Sequence, residues 1–245
     1  MKAVACSLAV VFLLTGVAHA QQNQPIYPVY DGFLKNPDGS YTLSFAYFSH
    51  NADPVTITPG AGNAFAPTPG DRMQPTTFKP GHWRFQCVMV VAADFDGKMK
   101  WTLTHGGVTT GTSERMLQSN WNLLEGATQL AKIEYAKVPK GVCLNQPPVV
   151  RVLGVTARPN NPPTLSAAVN EELNLFGSAH DEGLPRGKGL AVEWKLLNGP
   201  GAVRFTIPGS ARTKAIFSAP GLYELELSAT DSEFQRTTRL NVTVK

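Results

Sequence analysis

Three adjacent side chains, His180, Asp181 and Glu182, stand just before Gly183 and Pro185 in the stretch AHDEGLP. An imidazole beside two carboxylates holds the parts of an acid–base centre and of a metal site. Acid–base work needs a nucleophile or substrate group within reach and a partner that orients the base. The chain has no Gly-x-Ser-x-Gly elbow, P-loop or dinucleotide fingerprint to supply one. Hard oxygen ligands are a separate possibility. Asp181, Glu182 and Asp231 suit calcium if their two loops meet at one end of a domain, and Asn145 would add a carbonyl. Against this stands a plain polar turn, in which the acids are solvated, Gly183 permits the reversal and Pro185 presets φ. The turn is the expected reading, with calcium its rival; no other cofactor is expected.

Other chemistry is thinner. Asp94-Phe95-Asp96-Gly97 begins like a calcium loop but lacks the later ligands and the closing Glu. Asp96-Gly97 is expected instead to close a tight hairpin between strands at 82–93 and 98–107. His50, His82, His105 and His180 are scattered singly, and no His-x-x-x-His or Cys-x-x-Cys pair suggests zinc. Cys87 and Cys143 either bridge or remain two separate thiols; nothing near them would make a reactive thiolate. Trp83 and Trp101 alternate with apolar neighbours and are expected in the core. Trp121, between Asn120 and Asn122, is the tryptophan expected to be exposed and so available to a sugar.

The elements that must position these residues are strands. Lys2, an apolar run and Ala18-His19-Ala20 ahead of QQNQ read as a secretory signal, residues 1–20. Cys6 lies within the signal, before most of its apolar run, so no lipid anchor is expected. No later run reaches the ~18 apolar residues of a spanning helix. The formal charge of +4 (22 basic against 18 acidic residues) falls to +3 without Lys2, and it is scattered. Nucleic-acid binding, which needs a basic stripe, is not expected.

Residues 26–118 alternate between short apolar strands and Gly/Pro turns. Asn36–Ser40 forms a strong turn ahead of Tyr41, Leu43, Phe45 and Tyr47, and 59–81 reads as a long loop. Residues 119–146 read as a linker with a short helix: Asn122 and Glu125 echo a capping box, and Leu123, Ala127 and Leu130 would share a face. From 147 to 245 about seven short strands follow. Among them Tyr223, Leu225, Leu227 and Ala229 alternate with Leu222, Glu224, Glu226 and Ser228. The fold class expected is all-β: two small immunoglobulin-like sandwiches joined by a short, partly helical linker.

The stretches NQPPVV, HDEGLP, VEWKLLNGPG and FSAPGLYELELSATD together resemble the PKD and PKD-like immunoglobulin domains of exported bacterial proteins, over residues 145–245. The resemblance implies that Trp194 is the tryptophan buried between the sheets and Tyr223 the corner tyrosine, its hydroxyl tied back to the backbone. It also implies that AHDEGLP ends a strand and opens a loop. The Trp-Asp-Phe-Gly-Asp-Gly motif of strict PKD domains is absent; EWKLLNGPG stands in its place. YPVYDGFLKNPDGSYTLSFAYFSHN resembles the opening of a group of exported bacterial proteins of no assigned activity, which implies export and a β domain. The expectation is an exported, non-catalytic binding, adhesion or spacer protein, secreted or periplasmic, acting on a protein or glycan of the cell envelope. The alternatives are a carbohydrate-binding accessory protein and a hydrolase without familiar motifs.

Overall fold

The computed structural model describes residues 23–122, 130–154 and 162–245. The signal at 1–20 and most of the helix proposed around Leu123, Glu125 and Ala127 lie outside them. Among the described residues the chain is all-β, with short 3-10 turns at Ser119–Trp121 and Leu130–Lys132 flanking that part of the linker.

The N-terminal half comprises β1 (Ile26–Lys35), β2 (Tyr41–Ser49), β3 (Val55–Thr56), β4 (Asn63–Ala66), β5 (Thr77–Phe78), β6 (Gly81–Val91), β7 (Lys100–His105) and β8 (Val108–Gly111). One sheet has the order β1-β2-β6, a second β4-β7-β8, and β3 pairs with β5. The Asn36–Ser40 turn closes the β1–β2 hairpin as expected, with Asn36 N–H donating to Ser40 O at 2.8 Å and Gly39 at φ 86°. Strand β2 lies in the middle of its sheet, and residues Thr42 to Tyr47 are all buried. The core between the sheets is aromatic. Phe65 stacks on Trp101 with ring centroids 5.6 Å apart, and Phe45 meets Phe65 edge-on at 5.1 Å. The buried Trp101 indole donates to Asn63 Oδ1 at 2.9 Å, and Asn63 Nδ2 in turn donates to Pro75 O at 2.8 Å. The Trp101 indole and the Asn63 amide are therefore satisfied internally, as burial demands.

Two expectations fail here. Asp96-Gly97 does not close a hairpin, because β6 and β7 belong to different sheets. The segment carries the chain across the sandwich, and Phe95 and Met99 pack into the core on either side of it. The tight hairpin is one step later, where Gly106 and Gly107, at φ 60° and 76°, join His105 to its partner Val108. Residues 59–81 are not a plain loop either. Their Asn63–Ala66 stretch supplies an edge strand to the second sheet, where Phe65 reaches Trp101.

Cys87 and Cys143 form a disulfide across 56 residues of chain. Closing a loop of that length stabilises the fold by about 4 kcal/mol on the chain-entropy account. It also fixes residues 141–144 along the free edge of β6, where Gly141 N–H donates to Val90 O and Leu144 N–H to Val88 O, each at 2.7 Å. The joint that follows, Asn145 to Pro148, is correspondingly short.

The C-terminal half comprises β9 (Val149–Val152), β10 (Thr164–Ala167), β11 (Glu172–His180), β12 (Ala191–Asn198), β13 (Val203–Phe205), β14 (Arg212–Phe217), β15 (Gly221–Thr230) and β16 (Gln235–Val244). Its sheets have the orders β13-β14-β11-β9 and β10-β16-β15-β12, with β10 parallel to β16. That is the order of an immunoglobulin-like sandwich. Tyr223, Leu225 and Leu227 face its core while Leu222 faces solvent, as the alternation requires.

The Tyr223 hydroxyl donates to Ala219 O at 2.8 Å, the tie expected of a corner tyrosine. The glycines of Asn198-Gly199-Pro200-Gly201 make room for it: a Cβ on Gly199 would lie 2.3 Å from the Tyr223 ring. Tyr223→Phe should therefore keep the packing and lose about 1–2 kcal/mol with the bond. Urea unfolding measures this, and an unchanged midpoint would show that the tie contributes nothing.

Candidate functional site

The C-terminal half presents one end to the other half. His180, the last residue of β11, pairs with Val149 at the start of β9, and Thr230 ends β15 beside Ala191 of β12. The loops after β11 and β15, which carry Asp181, Glu182 and Asp231, therefore emerge at the end where the joint enters.

AHDEGLP is not a free turn. Ser178, Ala179 and His180 are still strand, and the residues after them dock on the N-terminal half. Leu184 is only 5% exposed and belongs to the hydrophobic cluster of that half. Arg186 grips Asp71 with two bonds, Nη1 to Oδ2 at 2.7 Å and Nη2 to Oδ1 at 2.8 Å, and donates also to Gln74 O at 2.9 Å. The guanidinium holds the Asp71 carboxyl below the usual carboxylate range. His180 is half-buried, packed edge-on against Trp83 at 4.7 Å. Burial, then the charges of Lys79 and Arg151, lower the pKa of its imidazole. Gly183, at φ 93°, supplies the reversal expected of it.

The N-terminal half meets this loop with a bulge in β6. Phe85 has φ 57°, unusual for a bulky residue, and the register with β2 slips there. Asp31 holds the bulge: it accepts from Arg84 Nε at 2.8 Å and from Phe85 N–H at 3.2 Å. The bulge leaves Phe85 O free to accept from Gln146 Nε2 at 2.9 Å, while Gln146 N–H donates to Glu182 Oε1 at 2.8 Å. One joint residue thus holds both halves. Trp83 is half-buried: it packs against the N-terminal core, as expected of it, and also meets His180 in the seam, whereas Trp101 is wholly buried. Trp121 is half-buried, edge-on to Tyr30 at 5.6 Å, and so is not the open platform a sugar would need.

The acids have unusual surroundings. Asp231 is 1% exposed. Its Oδ1 caps the β15–β16 turn, accepting from Glu233 N–H at 2.7 Å and Phe234 N–H at 2.6 Å, while its Oδ2 is buried without a partner. Asp181 Oδ2 accepts from Gly183 N–H at 3.0 Å, and its Oδ1 is likewise buried and unpartnered. Asn145 Nδ2 donates to Glu233 Oε2 at 2.8 Å and leaves its own Oδ1 in the same condition. Burial, reinforced by the Asp181 charge, pushes the Glu182 carboxyl up to about 8. Burial raises Asp181 too, with the Asp231 charge adding to it.

Sequence reading found these four residues and missed Leu184, Arg186 and the Phe85 bulge. The available signal for Leu184 was one large apolar side chain in an otherwise polar Gly/Pro loop.

No family model and no curated protein matches the chain. Among solved structures, a nucleoside hydrolase-related hypothetical protein from Saccharophagus degradans, associated with carbohydrate metabolism, is 18% identical with a TM-score of 0.37; the match covers 56% of this chain and 35% of that one. The PKD domain of human KIAA0319 is 19% identical with a TM-score of 0.28, over 34% of this chain and 74% of that one. The fibronectin(III)-like modules of Clostridium thermocellum CbhA are 12% identical with a TM-score of 0.28, over 89% of this chain and 94% of theirs. At these values no activity transfers. The immunoglobulin-like, PKD-like character of the C-terminal half rests on its own strand order and its Tyr223 corner.

Proposed function

We propose that the protein is an exported, non-catalytic module of two β-sandwich domains, about 26–118 and 147–245, that binds or spaces through its surfaces in the cell envelope. The observation that carries this reading is the seam. Leu184 is buried in the other domain's core, and Arg186 is forked onto Asp71 beside it. Such a seam holds two sandwiches at a fixed angle, which suits a spacer or a composite binding face and serves no reaction. Export follows from the secretory pattern of residues 1–20. No helix among the described residues is long and apolar enough to cross a membrane.

One contact favours a second reading, a hydrolase: Ser178 Oγ and His180 Nε2 are hydrogen-bonded. A serine nucleophile needs a base that is itself oriented, and donors for an oxyanion. Among the described hydrogen bonds none joins a carboxylate to His180, and its lowered pKa makes it a weaker base. A fluorophosphonate probe should therefore leave the full chain unlabelled, and capture from envelope extracts or a glycan array should return a partner. Labelling that disappears in Ser178→Ala would replace this reading with the hydrolase.

A further inference from the structure

We propose that the outer face of the β13-β14-β11-β9 sheet binds an anionic polysaccharide. The proposal rests on the reading above, an exported protein that acts through its surfaces, and it names the surface and the chemistry of the partner. In sequence the cations are scattered; strand register gathers four of them here. Thr213 and Ala215 of β14 and Leu175 of β11 are buried, so Arg212, Lys214 and Phe176 alternate outward. Arg212 lies opposite Phe176, Arg204 opposite Ile216, and Arg151 opposite Ser178. Cross-strand partners share a face, and diagonal neighbours stand about 7–8 Å apart. Arg204, Lys214, Arg212 and Arg151 therefore form a diagonal line across all four strands, about 14 Å from β13 to β9. All four are exposed.

Most of this charge has no counter-charge. Lys214 pairs with Glu172, the one carboxylate that the strands of this face turn outward. Among the described residues no carboxylate pairs with Arg151, Arg204 or Arg212. The opposite sheet differs: there Glu193 takes up Lys195, and Glu224 and Glu226 take up Arg239. A polyanion is thus drawn to one face of this half and not to the other. Guanidinium forks match the paired oxygens of an acid group. Phe176, 52% exposed, stands between Arg212 and Arg151, where its ring meets the C–H side of a sugar while the forks hold the acid groups. Towards the joint the next outward residue of β11 is His180, which meets Trp83 at 4.7 Å, and the Lys79 ammonium lies 5.3 Å from the centre of that indole. The line of cations and rings therefore continues onto the N-terminal half. A line of charges on a flat face suits an extended polymer. A small anion needs a cleft, and a bilayer needs a broad patch.

The test is affinity electrophoresis and titration calorimetry of the full chain with polygalacturonate and with heparin. Dextran is the uncharged control; single-stranded DNA and phosphatidylglycerol vesicles are the rival polyanions. Polygalacturonate or heparin should bind, dextran should not, and affinity should fall as salt rises. Arg151→Gln, Arg204→Gln and Arg212→Gln change exposed side chains outside the core. Each should weaken binding about three- to five-fold, the scale of an exposed ion pair, and the triple variant about thirty-fold or more. Phe176→Ala should weaken binding without changing its salt dependence, which a purely ionic contact would not show. Lys195→Gln, on the opposite face, should bind as wild type does. The proposal is overturned if neither polysaccharide binds, if DNA or vesicles bind more tightly than both, or if the triple variant binds as wild type does. An envelope partner captured equally by wild type and the triple variant, with no polysaccharide bound, would overturn this assignment and leave the surface-binding reading standing.

Discussion

Trp194→Ala should lower the stability of the C-terminal half by about 3–5 kcal/mol, the usual cost of emptying a large aromatic site. Trp194 sits on the edge strand β12, is 2% exposed, and lies opposite Leu227 of β15. Its ring runs nearly parallel to Phe205, with centroids 6.5 Å apart. Two effects would be lost together, packing and the indole bond to Ala211 O at 3.0 Å. Packing dominates. Ala211 O also accepts from Gly177 N–H at 2.9 Å, so the carbonyl keeps a donor when the indole is gone. The cavity has no such relief, because the two sheets are held apart by Tyr223, Leu225 and Phe217 around it. Urea unfolding followed by far-ultraviolet circular dichroism reads the change. A midpoint within error of wild type would mean that the ring is not what fills the sandwich. Trp194→Phe, which restores most of the volume, should recover over half of the loss.

Trp194 and Tyr223 were legible through the resemblance to PKD-like domains, which implied a buried tryptophan and a corner tyrosine. The alternation from Leu222 to Leu227 in β15 puts Tyr223 on the core face, and the tie of its hydroxyl was implied by the resemblance. Thr164–Ala167 was not read as a strand. It is short, and it is held at an edge by parallel pairing to β16, a contact some 77 residues away in sequence. In the N-terminal half the register slips at Phe85, but two extra residues keep the faces, so Trp83 pairs with the buried Tyr47 and packs on the core side while Trp101 is wholly buried. Asp94–Gly97 carries the residues of a hairpin turn, and no local rule says that the strands on either side belong to different sheets. The acids of the joint were legible as residue types with a condition attached, that two loops meet. The strand order meets that condition, since β11 and β15 end on the same side. Leu184 was illegible for a physical reason: its partners lie in the other half of the chain, and a single apolar residue in a loop has no period.

Leu184→Asp should part the two halves without unfolding either. The substitution removes a buried apolar side chain, a loss of about 2–3 kcal/mol. It also asks a carboxylate to enter an apolar cluster, which costs several more. That sum is not all lost from stability, because the seam has a cheaper response than unfolding: it opens, and the carboxylate reaches water. The cost is then capped at the free energy of docking. Each half keeps its own core, since Leu184 is the member of the N-terminal cluster that comes from beyond the joint, and the C-terminal cluster does not include it. Arg186→Ala is the comparison. Its pair with Asp71 is partly exposed, at 25% and 48%, and pairs of that kind contribute roughly 1 kcal/mol or less. It should loosen the seam far less than Leu184→Asp does. Small-angle scattering of the full chain reads the geometry, and calorimetry reads the coupling. Leu184→Asp should show a larger radius of gyration and two separated unfolding transitions, while Arg186→Ala stays close to wild type. If Leu184→Asp keeps the wild-type scattering profile and transition, the halves are held by the disulfide-anchored joint alone, and a fixed angle set by the 181–186 loop is ruled out.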